Sequence, residues 1–466
     1  MKKLIITLFF LAFGFQAMSQ SADTLKFDTF MSWVQAYHPI SAQANLMLIM
    51  GDMEVRIARG GFDPLLYGNL DQKSFDNKNY YDKREAGISI PTWAGIELNG
   101  VFEQNSGQYL NPENSVPSGG LFAAGASLNL GQGLILDDRR AGLRKAQIYQ
   151  ESTGSQRQQL LNDLYLQASA AYWNWSLAHV NTILLKEGVL LATERFDGVK
   201  ISYEQGDFPA IDTVEAVSQL LNREFSLQKA ENELYQRTQE LNNFLWGESG
   251  DPIGLKLETI PQKLSSIDNL ILSEPELREL VSIHPELQLA DYELATLEID
   301  RRLKAQQIIP VVKLKYNFLT SDLNKLEQAG FFQNNYKWGL SVYTPLMWRK
   351  ARGGTRLAAN KIDFKQNSRE MKEISLRTKL ENELNSWTAI NEQITTYTRN
   401  VAALEMLLSG EVRRFEIGES SLFLVNSREV SVFNSRMTLN ELLTKRRISF
   451  AKSRVAAGIG FDSVID

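Results

Sequence analysis

Few side chains in this 466-residue sequence have the types or spacing that covalent chemistry needs. The three histidines, His38, His179 and His284, lie far apart. Two of them stand in a repeated His-Pro that reads as a break between helices, because proline disfavours helix in the residue before it. No Ser-His-Asp order, HExxH or phosphate-binding loop is present, and Gly131-Gln132-Gly133 lacks the rest of a dinucleotide fingerprint and reads as the end of a strand. The absence of cysteine removes disulfides and thiolate metal sites. The expectation is a chain that is not an enzyme, with no catalytic residue, cofactor or metal. What remains is electrostatic chemistry, in which rings or stripes of fixed charge attract or repel ions. Its candidates are the acids Asp212 and Glu215 and the arginines Arg140, Arg144, Arg352 and Arg356. A net charge of −5 gives no argument for a nucleic-acid partner.

These groups must be positioned by the elements around them. The chain opens with Met1-Lys2-Lys3, an apolar stretch from Leu4 to Phe15 and Ala17-Met18-Ser19, the order of a secretory signal peptide. Residues 1–19 are therefore expected to be removed, with the mature chain starting near Gln20 and no transmembrane helix in it.

The mature sequence is one unit written twice. Tyr37-His38-Pro39 recurs as Ile283-His284-Pro285, and at that offset of 246 residues Ala44 meets Ala290 and Pro64 meets Pro310. Further along the offset is 212: Arg140, Gly142 and Arg144 meet Arg352, Gly354 and Arg356, Trp175 meets Trp387, Tyr203 meets Phe415, and Gly206 meets Gly418. The first copy thus carries 34 extra residues between Pro64 and Arg140. Repeat 1 spans 20–246, a linker rich in Gly, Pro and Ser spans 247–273, repeat 2 spans 274–460, and 461–466 form a tail.

Each repeat reads as helix, strand region, very long helix, turn and helix. From Leu376 through Leu380, Leu384, Trp387, Ile390, Ile394, Tyr397, Val401, Leu404, Leu408 and Val412 to Phe415, apolar residues recur every three or four positions, about 3.5 residues per step, as in a coiled-coil seam. No proline interrupts 137–203 or 350–415, so each helix would be roughly 100 Å long. Trp175 and Trp387 read as seam packing. Gly206 and Gly418 end the long helices. Pro209 suits the first turn of the next helix in copy one, and Ser420 or Ser421 a cap in copy two.

The strand regions are about 62–131 and 310–346. Residues 311–318 alternate in part and 336–343 alternate well, as does Phe122 to Leu130, and Pro64 to Leu70 is a shorter candidate. Within the extra residues, Gly87 to Ile90 and Ile96 to Phe102 supply either two further strands or a surface hairpin. Four strands cannot close a barrel, and open edges are not tolerated in hydrocarbon, so several chains must share one.

This ordered combination, with helical hairpins that turn at an aromatic-x-x-Gly, resembles the TolC-like outer-membrane efflux family over nearly the whole mature chain. The resemblance implies a mainly α fold with a β membrane portion: long α-helical hairpins forming an α-barrel, and a twelve-stranded transmembrane β-barrel shared by a homotrimer, four strands per chain. It implies an outer-membrane location reaching into the periplasm, contact with outer-membrane lipid, and partners that are a periplasmic adaptor (membrane fusion) protein and an inner-membrane pump. The tips, with Tyr203, Gly206, Asp212 and Glu215 in copy one and Phe415, Gly418, Ser420 and Ser421 in copy two, would form the periplasmic entrance and the adaptor contact.

The chain departs from the family where well-known members carry a base two places after the second glycine and acids six and nine places after it. Here those positions hold Ser420, Leu424 and Ser427. Asp212 and Glu215 are then either a threefold acid ring or acids placed at a helix start by its dipole. The four arginines either line the tunnel below the barrel or decorate a solvated helix start. The function expected is a passive exit duct of an efflux or secretion system, with cargo unspecified as drug, metal ion or polypeptide. The alternative is a periplasmic coiled-coil scaffold or adaptor without a membrane barrel.

Overall fold

The computed structural model describes residues 24–256, 258–264, 273–322 and 335–461. The expected signal peptide, part of the linker and nearly all of the tail lie outside the described residues. The chain runs β1 (Thr24–Leu25), α1 (Phe27–Tyr37), α2 (Pro39–Gly60), β2 (Leu65–Phe75), β3 (Lys78–Pro91), β4 (Ile96–Ser106), β5 (Leu121–Asn129), α3 (Asp138–Gln205), α4 (Ala210–Asn242), β6 (Ile260–Pro261), α5 (Glu274–Leu280), α6 (Pro285–Gln306), β7 (Val311–Thr320), β8 (Tyr336–Tyr343), α7 (Arg349–Glu416) and α8 (Leu422–Ala456). Contacts divide it into two units that cut across the repeats. One holds the segment ending at His38 with Ala168–Asn269 and Ile390–Ile448; the other holds Pro39–Gln167, Leu270–Ala389 and the segment from Ser449.

The first unit packs on aromatic residues of α1 and α3. Trp175, Tyr172 and Phe30 are among the largest fully buried side chains, and Phe27 stacks on Trp173 at 5.0 Å. The Tyr172 hydroxyl donates to the Leu25 carbonyl at 2.5 Å and accepts from the Gln262 amide at 3.1 Å. It thereby holds β1 and β6, which pair in parallel. Burial pushes this phenol up to about 12, so it remains a neutral donor.

The second unit has a core of Leu277, Val281 and Leu287 against Leu376, Leu380 and Leu384 of α7 and Ala456, Ala457 and Ile459. Each buried leucine contributes roughly 1.5–3 kcal/mol. The rest of the expected seam on α7, through Trp387, Val401 and Phe415, is buried or half-buried while most intervening positions are exposed. Trp387 packs on Phe450 at 5.7 Å. The period of 3.5 is therefore a packing pattern.

This unit also carries a six-stranded antiparallel sheet in the order β2-β3-β4-β5-β7-β8. Four of these strands are those expected from the repeats, and the extra residues supply two further strands, one of the two alternatives open for them. By the repeat offsets β2 corresponds to β7 and β5 to β8, so β3 and β4 are the 34 extra residues of the first copy. They extend the meander because both of their edges find partners: β2 pairs with β3 from Leu65↔Ser89 to Phe75↔Lys78, and β4 with β5 from Ile96↔Leu128 to Glu103↔Leu121. The β2–β3 turn is Asp76-Asn77, both at positive φ (54° and 55°), the conformation a two-residue hairpin turn requires.

Residues directly opposite each other in antiparallel strands share a face. One face of this sheet carries Leu66, Ile88, Leu98, Ala126, Tyr316 and Trp338 with their neighbours two residues away, and is apolar on every strand. The other carries Asn69, Glu85, Ser89, Glu97, Asn99, Ser127, Lys315 and Lys337. The edge strands β2 and β8 are exposed almost throughout.

Both His-Pro steps break helices as expected, with His38 at ψ 136° and His284 at ψ 136°. His284 is buried, and its Nδ1 accepts the Glu286 amide at 3.1 Å. Burial holds its pKa below the ordinary 6.5. The folded state therefore favours neutral imidazole, and its contribution is complete above the ordinary value and lost as pH falls through the depressed one. Replacing His284 with Asn is expected to reduce the acid-side slope of unfolding free energy by up to about 1.4 kcal/mol per pH unit, measured as denaturation midpoints from pH 7 downward. An identical slope in both proteins would contradict the assignment.

Candidate functional site

The two hairpin tips share one construction. After α3, Gly206 takes φ 85°, its amide donates to the Tyr203 carbonyl at 2.9 Å, and the Asp207 amide donates to Ser202 at 2.9 Å. After α7, Gly418 takes φ 78°, its amide donates to Phe415 at 3.0 Å and the Glu419 amide to Arg414 at 2.8 Å. Both are Schellman closures, which need a residue free to adopt positive φ. Tyr203 stays 47% exposed on the last turn of α3. Pro209 is the N-cap of α4 and precedes its first turn. Ser421 caps α8, its Oγ 3.4 Å from the Leu424 amide, whereas the Ser420 hydroxyl donates to the buried Glu411.

The tips meet through a small core. Val199, Ala216 and Leu422 are buried, with Phe196, Phe208 and Phe415 packed around them, and Phe208 lies 6.0 Å from Phe415. Asp212 is half-buried in the first turn of α4. Glu215 sits beyond that turn and accepts from Asn426 of α8 at 3.1 Å. The dipole account of the first turn thus covers Asp212 but not Glu215, whose carboxylate is tied to the second hairpin.

Sequence reasoning missed the polar cluster behind these tips. Arg195 of α3 forms a two-pronged pair with Glu429 of α8 at 2.7 and 3.2 Å and also donates to Asn426 at 3.1 Å. Arg223 of α4 lies 3.8 Å from the same carboxylate and 4.4 Å over the Phe433 ring. Glu429 and Arg223 are buried, at 5% and 8% exposure, and burial lowers the Arg223 pKa while Glu429 opposes the shift. A signal was present. Ala216 and Arg223 are seven residues apart, and Asn426, Glu429 and Phe433 follow at steps of three and four, so charged residues occupy seam positions.

The four repeated arginines separate. Arg140 clamps the strand-to-helix turn: it donates to the carbonyls of Gly133 and, at 3.0 Å, Leu134, and pairs with Asp137 at 3.2 Å. Asp137 itself caps α3 by accepting the Arg140 amide at 2.9 Å. Arg352 lies over the Trp348 ring at 5.8 Å, and Arg144, Arg352 and Arg356 are exposed. Among the described residues no cluster of three His, Asp or Glu side chains has the arrangement to hold a metal ion.

Paired helical hairpins with matching tips, joined to a sheet apolar on one face and polar on the other, define a TolC-like fold, as solved structures bear out. CusC, studied for folding and transmembrane channel formation, is 17% identical with TM-score 0.64, over 93% of this chain and 92% of its own. The outer-membrane channel OprN is 14% identical with TM-score 0.69, over 93% and 90%. The outer-membrane channel MtrE of Neisseria gonorrhoeae is 14% identical with TM-score 0.66, over 92% and 88%. No family model and no curated protein matches the sequence. The chain therefore shares the α-helical and β-sheet architecture of these channels.

Breaking the buried cluster should loosen the tips. Glu429→Leu leaves Arg195 and Arg223 without their carboxylate, at an expected cost of about 3–5 kcal/mol. Hydrogen exchange across 190–225 and 420–435 should accelerate, and the double variant Arg195→Met/Glu429→Leu should recover part of the loss. Unchanged exchange in the single variant would contradict a structural role for the pair.

Proposed function

We propose that this chain is the outer-membrane exit duct of a multi-component efflux or secretion system, working as a homotrimer that takes cargo from an inner-membrane pump through a periplasmic adaptor. The observation that carries this reading is the sheet. Its six strands share a continuous apolar face suited to lipid and a polar face suited to water, and neither edge pairs with another strand among the described residues. In hydrocarbon such edges must find strands of another copy. A coiled-coil scaffold in the periplasm has no use for an apolar sheet face of this extent.

The long helices α3 and α7, with α4 and α8, supply the tunnel, and the tips at Gly206 and Gly418 supply its entrance and the rim an adaptor would grip. Nothing in the duct itself needs chemistry; energy comes from the pump. Of the two tip acids, Asp212 is the better candidate for a threefold ring at the entrance, because Glu215 is engaged by Asn426. The tip of copy two adds no acid at Leu424 or Ser427. Arg144, Arg352 and Arg356 are exposed in one chain and suit a tunnel wall, whereas Arg140 is committed to its turn.

The test is single-channel recording of detergent-extracted full-length protein in a planar bilayer. Stable openings with one unit conductance are expected, and Asp212→Ala should lower cation preference and divalent block. Recovery of the folded protein as a soluble monomer would overturn the proposal.

A further inference from the structure

We infer that the β3–β4 hairpin belongs to the membrane wall itself, so that the barrel closed by three copies has eighteen strands and not the twelve that the family resemblance implies. This rests on the trimeric duct proposed above, but the observations behind it concern the hairpin alone.

Backbone pairing is the first of them. The hairpin is hydrogen-bonded to the repeated strands on both sides, with unbroken register from Asp82↔Ser106 to Pro91↔Glu97 between its own strands. Side chains tie it in on both faces as well. On the apolar face Phe102 of β4 packs against Phe122 of β5 in a tilted pair, ring centres 4.6 Å apart. On the polar face the Asn99 side chain donates to that of Asn317 at 3.0 Å, reaching from β4 across β5 to β7. Gly125 makes that bridge possible: a Cβ there would lie 2.4 Å from Asn317 Oδ1.

The sequence pattern is independent of this pairing and agrees with it. Ile88, Ile90 and Leu98 continue the apolar face of the repeated strands, and Glu85, Ser89 and Asn99 continue the polar one. A hairpin standing in water would gain nothing by keeping that alternation in phase with its neighbours.

Parity also fits. Two extra strands keep the count even, so β8 of one copy still runs antiparallel to β2 of the next, whereas one extra strand would not. Barrel diameter grows roughly linearly with strand number, so eighteen strands give a wall about one and a half times as wide as twelve, in the range that leaves an aqueous channel. The hairpin also places Glu85, Glu97 and Glu103, with Lys83, on the polar face, and β5 separates them from the lysines 313, 315 and 337 of β7 and β8. The lumen wall then alternates sectors of net negative charge from the hairpin with sectors of net positive charge from β7 and β8. The cargo such a lumen suits is bulky and hydrated, with charges of both signs.

The experiment is electron cryo-microscopy of the full-length trimer in detergent, with strands counted in cross-section, together with thiol labelling in membranes. The chain has no cysteine of its own, so single substitutions report alone. Eighteen strands are expected. Ile88→Cys and Leu98→Cys should react with a membrane-impermeant maleimide at least about tenfold more slowly than Ser89→Cys and Asn99→Cys, because a thiol in apolar surroundings resists ionising. Twelve strands in a conducting trimer, or equal labelling at 88 and 89, would place the hairpin outside the wall and overturn the inference while leaving the duct standing. Absence of a membrane trimer would instead remove the duct reading.

Discussion

Along their outer edges β2 and β8 present backbone amides and carbonyls that no strand among the described residues satisfies. In water such groups are solvated, but in hydrocarbon each unpaired one costs several kcal/mol. In the proposed duct the apolar face shared by all six strands would lie against lipid, and the open edges would pair with strands of other copies. Burial follows the same division. The inner strands β3, β4, β5 and β7 are largely half-covered, while β2 and β8 are bare. The helices answer a related demand. A long helix whose apolar residues recur every three or four positions, as on α7, can pack lengthwise on its neighbours.

A duplicated unit lets one local solution serve twice. Both repeats break a helix at His-Pro, close a long helix with a glycine at positive φ, and restart within a few residues. The copies also differ. Copy one carries the extra hairpin and Asp212, whereas copy two spends its tip polarity internally, with Ser420 bonded to Glu411 and Asn426 and Glu429 facing the first hairpin. The tips are thus joined to each other by buried charge as well as by Phe208 and Phe415. Any movement of the tips must disturb that cluster or carry it along.

Much of this was legible in the sequence because it is local. The period of Leu376, Leu380 and Leu384 located α7, the glycines located both tips, and alternation over 336–343 matched β8 residue for residue. Asp137 with Arg140 three residues later was a readable helix start, although the arginine's further grip on the preceding turn was not. Strand pairing was not legible. Gly87 to Ile90 alternates over too few residues to separate a wall strand from a surface hairpin, and β2 runs on past Leu70 through Asp71-Gln72-Lys73, where neither face is apolar. The Arg195–Glu429–Arg223 cluster escaped because buried charge contradicts the apolar rule used to find seams, and its three members come from three helices.

The claim on which the account turns is that strands of different copies pair edge to edge. It is tested most directly by paired cysteines, one on β8 at Leu340 or Val342 and one on β2 at Leu66 or Leu70, oxidised in intact membranes and run on denaturing gels. The account predicts a covalent ladder that ends at three chains for at least one register. Cross-links confined within single chains, or none in any register, would mean that the sheet closes otherwise and would contradict it.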